Sequence, residues 1–411
     1  MRERRAVQVA SNPHNVEDEE LRRTAPLWAQ PLRWLAVTLV ALYYRLACRI
    51  VGWGVLPARR TSTLLVANHQ HEIESPAIVA IMTLRTRAWR YPIFTVSSRR
   101  MWEPGFLAER LPWLSFLLRG LNLGRLFSFL GMQPIENELH ARPFVSLAYV
   151  LHQRYGELAL SDVFEPRALE RLPAQICRLS DLLSRANFHA GRQIVTLSEL
   201  REPYRHEALS MTRQELERDL AHFEALVRAG ATIFLTPEGF YSGDGRMQRL
   251  RGALARLQPL ARVWLAGISY DPFVGRRLSL LYRVAPAVTD VPLDIQLKRL
   301  RPVTTSALLA MWLHSRTQAF SAQEAIAAVR DARDTLPKAL FVEPRLRMDP
   351  ERMTRAALAE MLRSGTLRTE GASYRLGNHR THAQFPRTAD VIEYQANFHQ
   401  ETLEGARFAA A

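Results

Sequence analysis

Short apolar runs that alternate with longer amphipathic stretches mark the middle of this chain. Strand-like runs fall at residues 61–68, 91–98, 132–137, 231–239, 263–271 and 278–288, and helical patterns lie between most of them. Short β-rich runs separated by helical segments are typical of a sheet whose faces are covered by helices. The pattern therefore predicts an α/β fold with a mixed, mostly parallel sheet flanked by helices.

The polarity changes before this alternation begins. Residues 1–30 are polar and aperiodic and predict a flexible tail, whereas residues 31–57 contain an apolar run from Trp34 to Tyr44 with arginines around it. The run is about half as long as a membrane-spanning helix requires, so we expect a helix lying in the membrane interface. The alternative is a helix packed on the protein's own core. The interfacial arrangement would place four aromatic side chains at the lipid headgroups: Trp34, Tyr43, Tyr44 and Trp53.

The rest of the chain divides by its pattern. Residues 58–290 contain the strand–helix alternation, and a mostly polar helical stretch at 156–228 interrupts it. We interpret that stretch as an insertion between two strands of the sheet. Residues 291–411 are mostly helical, and the segment 345–380 reads as a helix, a turn and a hairpin. That order is the outline of a small winged-helix-like module.

Charge sets this chain apart from an average globular protein. Its 55 Lys and Arg residues exceed its 40 Asp and Glu residues, which gives a net charge of +15 at pH 7, and lysine occurs only at Lys298 and Lys338. A bias toward arginine codons is one explanation for Arg over Lys, but not for the excess of positive charge. Guanidinium groups suit phosphate partners, so we expect an anionic membrane surface. Nucleic acid is not the expected partner, because the C-terminal module lacks a convincing recognition helix.

Cysteine usage and targeting signals help to predict the cellular compartment of the protein. Cys48 and Cys177 are too few and too far apart for a disulfide framework, which favours a reducing compartment. No cleavable signal peptide is apparent, because the apolar run begins too late and lacks a small-residue cleavage site. With the interfacial helix, these features predict a peripheral or monotopic protein at the cytoplasmic face of a membrane.

Two histidines and two carboxylates lie in the seven residues that follow Asn68. In an open α/β sheet, ligands bind where the chain leaves the carboxyl end of a strand. A histidine there can act as a general base at neutral pH, provided that a carboxylate on its other ring nitrogen fixes the tautomer. We therefore predict a catalytic pair of His69 and Glu74. Glu72 as the carboxylate, or His71 as the base, is the alternative.

The helix that follows shapes this segment. Ser75 can cap that helix and Pro76 suits its first turn, which leaves residues 69–74 as a connecting loop. His71 and its neighbours have no further ligand cluster at a useful spacing, and no H-E-x-x-H pattern is present. We therefore predict no metal site.

A second candidate site follows the strand-like run at 231–239. Pro237 and Gly239 shape a tight turn around Glu238, and a glycine-containing loop then leads to three arginines: Arg246, Arg249 and Arg251. Backbone N–H groups in such a loop form an anion site together with guanidinium groups. We therefore predict that Glu238, Gly239 and these arginines bind substrate.

Taken together, the two loops resemble the motifs of the glycerolipid acyltransferases, whose founding activity is 1-acyl-glycerol-3-phosphate acyltransferase. The first block of that family, N-H-x4-D after a strand, is matched by Asn68 and His69, with Glu74 in place of the aspartate. The family's third block, F-P-E-G-T-R-S followed by a basic K-G-A, is similar to residues 236–242 and 251–253. The second block would fall on residues 131–137, and the fourth on residues 263–269. The resemblance covers roughly residues 31–290.

The resemblance implies transfer of a fatty acyl group from acyl-CoA or acyl-carrier protein to a hydroxyl of a lysophospholipid or related membrane lipid, without a cofactor. His69 would remove the hydroxyl proton, and Glu74 would orient the imidazole. Two positions that contact phosphate in the family fall on Asn137 and Tyr241.

Replacement charge could come from two arginines after the second strand, where the family often has a lysine: Arg99 and Arg100. We expect them to bind substrate together with the arginines of the second loop. The alternative to an enzyme is a catalytically silent lipid-binding protein on the same scaffold.

Overall fold

The computed structural model describes residues 30–57, 61–85, 93–102, 106, 108, 114–118, 121–136, 141–385 and 388–408. The flexible tail predicted for residues 1–30 therefore lies outside the described residues except for Gln30, and Asn137 lies outside them as well. The chain forms two compact units. The first unit comprises Met1–Thr95 and Glu224–Ala411, and the second comprises Val96–Phe223.

Each of the six apolar runs coincides with a strand, and the described part of the chain contains five further strands outside those runs. They are β1 Arg49–Gly54, β2 Thr63–Ala67, β3 Ile93–Ser98, β4 Met132–Ile135, β5 Ala141–Pro143, β6 Ile194–Thr196, β7 Thr232–Leu235, β8 Arg262–Asp271, β9 Ser279–Pro286, β10 Leu367–Glu370 and β11 Ser373–Leu376.

Helices occupy most of the described residues between these strands. They are α1 Gln30–Ala47, α2 Glu74–Arg85, α3 Ser115–Leu118, α4 Gly124–Phe129, α5 Phe144–Tyr155, α6 Leu160–Val163, α7 Pro166–Leu169, α8 Leu179–Leu183, α9 Phe188–Gly191, α10 Tyr204–Arg228, α11 Gly252–Leu257, α12 Leu293–Leu300, α13 Thr305–His314, α14 Ala322–Asp334, α15 Pro344–Met348, α16 Pro350–Arg363 and α17 Val391–Phe408. Short 3₁₀ turns occur at Arg99–Trp102, Arg185–Asn187, Leu197–Glu199 and Gln258–Leu260.

The sheet of the first unit runs in the order β1-β9-β8-β2-β7-β3. Its neighbouring strands are parallel except for β8 and β9, which pair antiparallel. The prediction of an α/β fold with a mixed, mostly parallel sheet flanked by helices is thereby confirmed. The central strand β2 is buried along its whole length, as its apolar run TLLVA favours.

Strand register brings the two predicted loops to one edge of the sheet. Val66 of β2 pairs with Leu235, the last residue of β7, and Ala67 pairs with Ala266 of β8. Strands that run parallel in this register end at the same level. The segment after Asn68 and the segment after Leu235 therefore leave the sheet side by side.

Helix α1 packs on the fold with one face and exposes the other. Val37 and Ala41 are buried against Ala80 and Ile81 of α2, and Arg33 on the same face is only 2% exposed. The opposite face presents large apolar side chains to solvent: Leu32, Leu35, Leu39, Leu42, Tyr43 and Leu46. Helix α1 thus combines core packing on one face with an apolar face that is exposed to solvent.

The helix is shorter than the segment 31–57 to which the sequence pattern assigns it. It ends at Ala47, and Arg49–Gly54 form β1, which pairs parallel to β9. Trp53 therefore belongs to a strand and packs against Phe341 at 5.0 Å between ring centroids. Among the described residues, no helix is both long and apolar enough to cross a membrane.

The region beyond residue 290 is mostly helical and belongs to the first unit. Its own hydrophobic cluster includes Leu309, Phe320, Val329 and Met361. In the segment 345–380, α16 leads into the antiparallel hairpin β10–β11, the helix and hairpin that the pattern predicts.

The second unit has a separate core of its own. That core is formed by apolar side chains from several short helices, among them Phe144, Leu151, Phe164 and Leu179. The stretch 156–228, interpreted from the sequence as an insertion, contributes to this unit as far as Phe223, together with residues from Val96 onward. The second unit therefore begins well before residue 156, where the predicted insertion begins.

Candidate functional site

The site begins at Asn68, where β2 ends. The Asn68 side chain accepts a hydrogen bond from the backbone N of Ile268 at 2.7 Å and donates one to the carbonyl of the same residue at 3.1 Å. Asparagine suits this place because its amide carries a donor and an acceptor side by side. The loop after β2 therefore starts from a point that is tied to β8.

His69 and Glu74 are in direct contact. The imidazole Nδ1 lies 2.7 Å from Glu74 Oε2, and the Glu74 side chain is fully buried. The other carboxylate oxygen, Oε1, accepts backbone N–H groups of Gln70 at 2.8 Å and His71 at 3.0 Å. The side chain thus folds back over its own loop, which accommodates the extra methylene of glutamate.

Helix α2 begins two residues earlier than the sequence pattern predicts. Glu74 is its first residue, and the backbone N of Ala77 donates to the carbonyl of Ile73 at 3.0 Å. Ser75 therefore lies within the first turn and is not the cap, while Pro76 lies in that turn as expected. A carboxylate at this position also interacts favourably with the positive end of the helix dipole.

The contact with Glu74 sets the protonation state of His69. A carboxylate on Nδ1 requires that this nitrogen carries the proton, so the neutral ring has its lone pair on Nε2. Burial lowers the pKa of His69, but the hydrogen bond and charge of Glu74 and the charges of Glu238 and Glu72 outweigh it and raise that pKa. No hydrogen bond from a described residue reaches Nε2, and 15% of the His69 side chain is exposed.

Glu238 ties the second loop to the first. Its Oε1 accepts the backbone N–H of His69 at 2.7 Å, and its Oε2 accepts that of Gln248 at 2.7 Å. Burial raises the pKa of Glu238 to about 7, although these two N–H groups act against the shift. Because the side chain is buried and both of its oxygens accept backbone N–H groups, Glu238 holds the two loops together. Substrate binding by Glu238, which the sequence pattern suggests, stays a prediction.

A glycine is required at position 239 because the Arg251 side chain packs closely against it. Its φ is +76°, and a Cβ at this position would lie 2.6 Å from Arg251 Nε. That nitrogen donates to the carbonyl of Glu238 at 2.9 Å, and the guanidinium lies over the ring of Phe240 at 4.8 Å. The Pro-Glu-Gly turn therefore seats Arg251 against the loop.

Tyr241 lies beside the histidines. Its ring meets that of His69 edge-on at 5.2 Å and lies parallel to that of His71 at 6.4 Å. Its hydroxyl donates to Glu72 Oε1 at 3.2 Å. His71 is fixed as well, because Nε2 lies 2.7 Å from the carbonyl of Gln384 and Nδ1 accepts the backbone N–H of Ile73 at 3.2 Å.

The other arginines predicted to bind substrate fall into two groups. Arg246 and Arg249 are exposed on the loop that follows Tyr241. Arg99 and Arg100 belong to the second unit, in the 3₁₀ turn Arg99–Trp102, and Arg99 forms an ion pair with Asp219 of that unit. Much of the Arg99 charge is thereby neutralised.

The C-terminal residues form a wall of the site that the sequence does not reveal. The Gln70 side chain donates to Tyr394 Oη at 3.2 Å, and Phe385 meets the rings of His71 and Tyr394. Glu401 of α17 accepts the backbone N–H of Met247 at 2.9 Å. The available signal was weak, since a tyrosine and a glutamate on an amphipathic helix, and a phenylalanine in the segment before it, are ordinary packing residues.

The chemistry open to this site follows from its own residues. No protein-family model matches the chain, and no curated protein matches its sequence significantly. Among the described residues, no group of three or more His, Cys, Asp or Glu is arranged to hold a metal ion. A partly exposed histidine whose other ring nitrogen meets a buried carboxylate can take a proton from a hydroxyl.

Substitution of Gly245 tests the contact between the second loop and α17. A Cβ there would lie 2.1 Å from the carbonyl of Tyr394, at a φ of +81°, whereas Gly371, at +62°, has nothing within 4 Å. We expect Gly371→Ala to cost about 1–2 kcal/mol of unfolding free energy from backbone strain alone. Gly245→Ala should cost at least about 1 kcal/mol more, because the loop must also leave α17. Urea unfolding measures both, and equal losses would contradict the contact.

Proposed function

We propose that this protein transfers a fatty acyl group from an acyl thioester to a hydroxyl of a membrane lipid. The observation that carries the proposal is the 2.7 Å contact between His69 Nδ1 and the buried Glu74 carboxylate, next to a loop that holds exposed arginines. A thioester is already activated, so the reaction needs a base and a positioned acceptor but no serine or cysteine nucleophile. The resemblance to the glycerolipid acyltransferases points to the same reaction.

His69 would act through Nε2. As the acceptor oxygen attacks the thioester carbonyl, Nε2 takes the hydroxyl proton, and Nδ1–H continues to donate to Glu74. The imidazolium is stabilised by the buried carboxylate while the tetrahedral intermediate exists. When the C–S bond breaks, the thiolate receives the proton from Nε2, and His69 returns to its neutral state.

The arginines of the second loop would bind the anionic groups of the substrates. Arg246 and Arg249 are exposed, and their guanidinium groups suit the phosphates of coenzyme A or of a phosphopantetheine arm. Arg251 is held against the carbonyl of Glu238 and the ring of Phe240, so its charge has a fixed position. Glu238 would contribute by fixing the loop itself.

Helix α1 would hold the enzyme on the membrane that contains its lipid substrate. Its exposed leucines recur at intervals of three and four residues, which places them on one face, and Arg45 is exposed in its last turn. An apolar stripe with a basic residue at its margin favours the interface of an anionic bilayer. We expect the protein to be peripheral and to act at the cytoplasmic face.

A catalytically silent lipid-binding protein is the second candidate. It is favoured by Tyr241, whose ring packs against that of His69 and whose hydroxyl is bonded to Glu72. A substrate would have to bind beside this aromatic ring. Turnover of an acyl thioester in the presence of lysolipids separates the two candidates, since a silent protein would bind the lipid and release no free thiol.

Replacement of His69 by alanine tests the proposed base. We expect His69→Ala to lower acyl transfer by at least about a hundredfold, because it removes the proposed general base. Release of coenzyme A from oleoyl-CoA in the presence of lysolipids is the measurement. His379→Ala, which removes an exposed histidine of the same unit, should retain the wild-type rate. Retained transfer by a folded His69→Ala variant would refute the mechanism.

The pH dependence of transfer tests the role of Glu74. The pKa of His69 is raised above its ordinary 6.5, so kcat/KM should fall as pH drops through a value above 6.5. Glu74→Gln removes the main charge that raises this pKa. Its acidic limb should therefore move to lower pH, while the maximal rate falls by about a hundredfold or more because the tautomer is no longer fixed. A limb that stays in place would exclude His69 as the titrating base.

Substitution in the exposed stripe of α1 tests membrane binding. Leu39→Glu should weaken binding to vesicles containing phosphatidylglycerol by at least about tenfold, since it removes an exposed leucine that would enter the bilayer and adds a charge of the same sign as the lipid. Val288→Glu, at an exposed apolar residue after β9, is the matched control and should bind as the wild type does. Co-sedimentation with vesicles measures both, and equal binding would mean that α1 is not the membrane contact.

A further inference from the structure

The second loop, which follows β7, rests on one face of α17. The Asn397 side chain donates to the carbonyl of Asp244 at 3.0 Å, and Glu401 accepts the backbone N–H of Met247 at 2.9 Å. The loop also approaches the carbonyl of Tyr394 so closely that a Cβ on one of its glycines would lie 2.1 Å away. Positions 394, 397 and 401 are three and four residues apart, which places them on one face of the helix. The loop is therefore seated on α17 along two turns.

The same loop carries two exposed arginines on a backbone that is held in place. The backbone N–H of Arg246 donates to Asp244 Oδ1 at 3.0 Å, and its carbonyl accepts from Ser242 Oγ at 2.6 Å. Arg249 directly follows the residue whose backbone N–H donates to the buried Glu238 at 2.7 Å. Both arginine side chains are exposed. The loop thus fixes where each guanidinium group leaves the backbone.

Glu401 is itself held by two cations. Its Oε2 also accepts a hydrogen bond from Arg301 Nη1 at 3.1 Å, and its Oε1 lies 3.5 Å from Lys298 Nζ. Arg301 is buried, and its guanidinium group lies over the ring of Phe398 at 4.1 Å. Charge-assisted contacts of this kind restrain a carboxylate in position. The acceptor that the backbone N–H of Met247 meets is therefore fixed independently of the loop.

Seating the loop in advance would favour the binding of an anion. Ordering a mobile loop and its long side chains when a ligand binds reduces affinity, and a preorganised loop avoids that loss. Guanidinium groups suit phosphate, because their N–H groups can donate in pairs to its oxygens. In the part of the chain that the structure describes, neither Asn397 nor Glu401 forms a hydrogen bond with the His69 imidazole. We therefore expect these two side chains to affect ligand affinity and not proton transfer.

We propose that Asn397 and Glu401 are positioning residues for the thioester donor. By seating the second loop on α17, they hold Arg246 and Arg249 where the phosphate of the donor binds. The inference rests on the proposed acyl transfer. The ligand chemistry is that of a phosphate ester, which coenzyme A and the phosphopantetheine arm of acyl-carrier protein share. Loss of this support raises KM for the donor and leaves kcat nearly unchanged, because the His69–Glu74 pair is not touched.

Steady-state kinetics with oleoyl-CoA and with oleoyl-acyl-carrier protein test this assignment. Asn397→Ala removes the donor to Asp244 and should raise KM for oleoyl-CoA by about fivefold, with kcat within about twofold of the wild type. Glu401→Ala removes the acceptor of the Met247 N–H and should raise KM by about tenfold or more, and Glu401→Gln, which keeps an acceptor, should recover part of the loss. Glu404→Gln removes an exposed carboxylate from the same helix and should keep the wild-type KM.

The two donors locate the contact. A similar rise in KM with both donors assigns the arginines to the phosphopantetheine phosphate, which both donors contain. A rise with oleoyl-CoA alone assigns them to the nucleotide phosphates of coenzyme A. Either result supports the inference, because in both cases the support from α17 acts on a phosphate of the donor.

A double-mutant cycle separates positioning from a general loss of stability. Arg246→Ala combined with Arg249→Ala should raise KM for the donor by itself. Adding Asn397→Ala to that protein should raise KM no further, because the guanidinium groups that it positions are gone. The acidic limb of the pH profile, which reports on His69, should stay in place in every variant of the cycle.

Three results would contradict the inference: an unchanged KM in Asn397→Ala, a loss confined to kcat, or a rise in KM that is as large without the two arginines as with them. Asn397 is only half-buried, so its variant keeps the test decisive even where Glu401→Ala fails to fold. Each of these results leaves the proposed acyl transfer intact, because transfer itself is observed. Absence of transfer by the wild-type protein with both donors would instead count against the proposed function, and this inference would fall with it.

Discussion

The hydrogen bonds of the buried Glu74 carboxylate are the interaction on which the rest of the site depends. Its oxygens meet His69 Nδ1 and the backbone N–H groups of Gln70 and His71. A carboxylate without water is stabilised only if such donors surround it, and breaking a buried pair of this kind typically costs about 3–5 kcal/mol. The loop conformation and the histidine orientation are therefore two consequences of one buried charge.

Glu238 is a second buried carboxylate that accepts backbone N–H groups, and it belongs to the second loop. It accepts backbone N–H groups from His69 and from Gln248, so it joins the ends of the loops that leave β2 and β7. The two strands end at the same level, which places both glutamates near the same histidine. Each buried carboxylate satisfies backbone donors that a loop at a sheet edge would otherwise leave without partners.

Local patterns predicted the sheet well and the contacts across the chain poorly. Strands such as β2 and β7 are short apolar runs between polar loops, so their positions follow from the sequence, and a strand end followed by His69 and Glu74 was sufficient to suggest their pairing. The predicted start of α2 differs from the observed start at Glu74 by two residues, and the predicted end of α1 differs from the observed end at Ala47 by about ten, since both depend on tertiary contacts. The contact between Tyr394 and Gln70 could not be predicted from local patterns, because the two residues are 324 positions apart in the sequence.

Helix α2 connects the two surfaces that the proposed function requires. Its first residue is Glu74, and its Ala80 and Ile81 pack against Val37 and Ala41 of α1. Six residues of helix rise by about 9 Å, so the Glu74 carboxylate and the residues that contact α1 are joined by less than two turns. A bilayer that receives the exposed leucines of α1 would thereby be held at a fixed distance from His69. The acceptor could then reach the base while its acyl chain remains in the membrane.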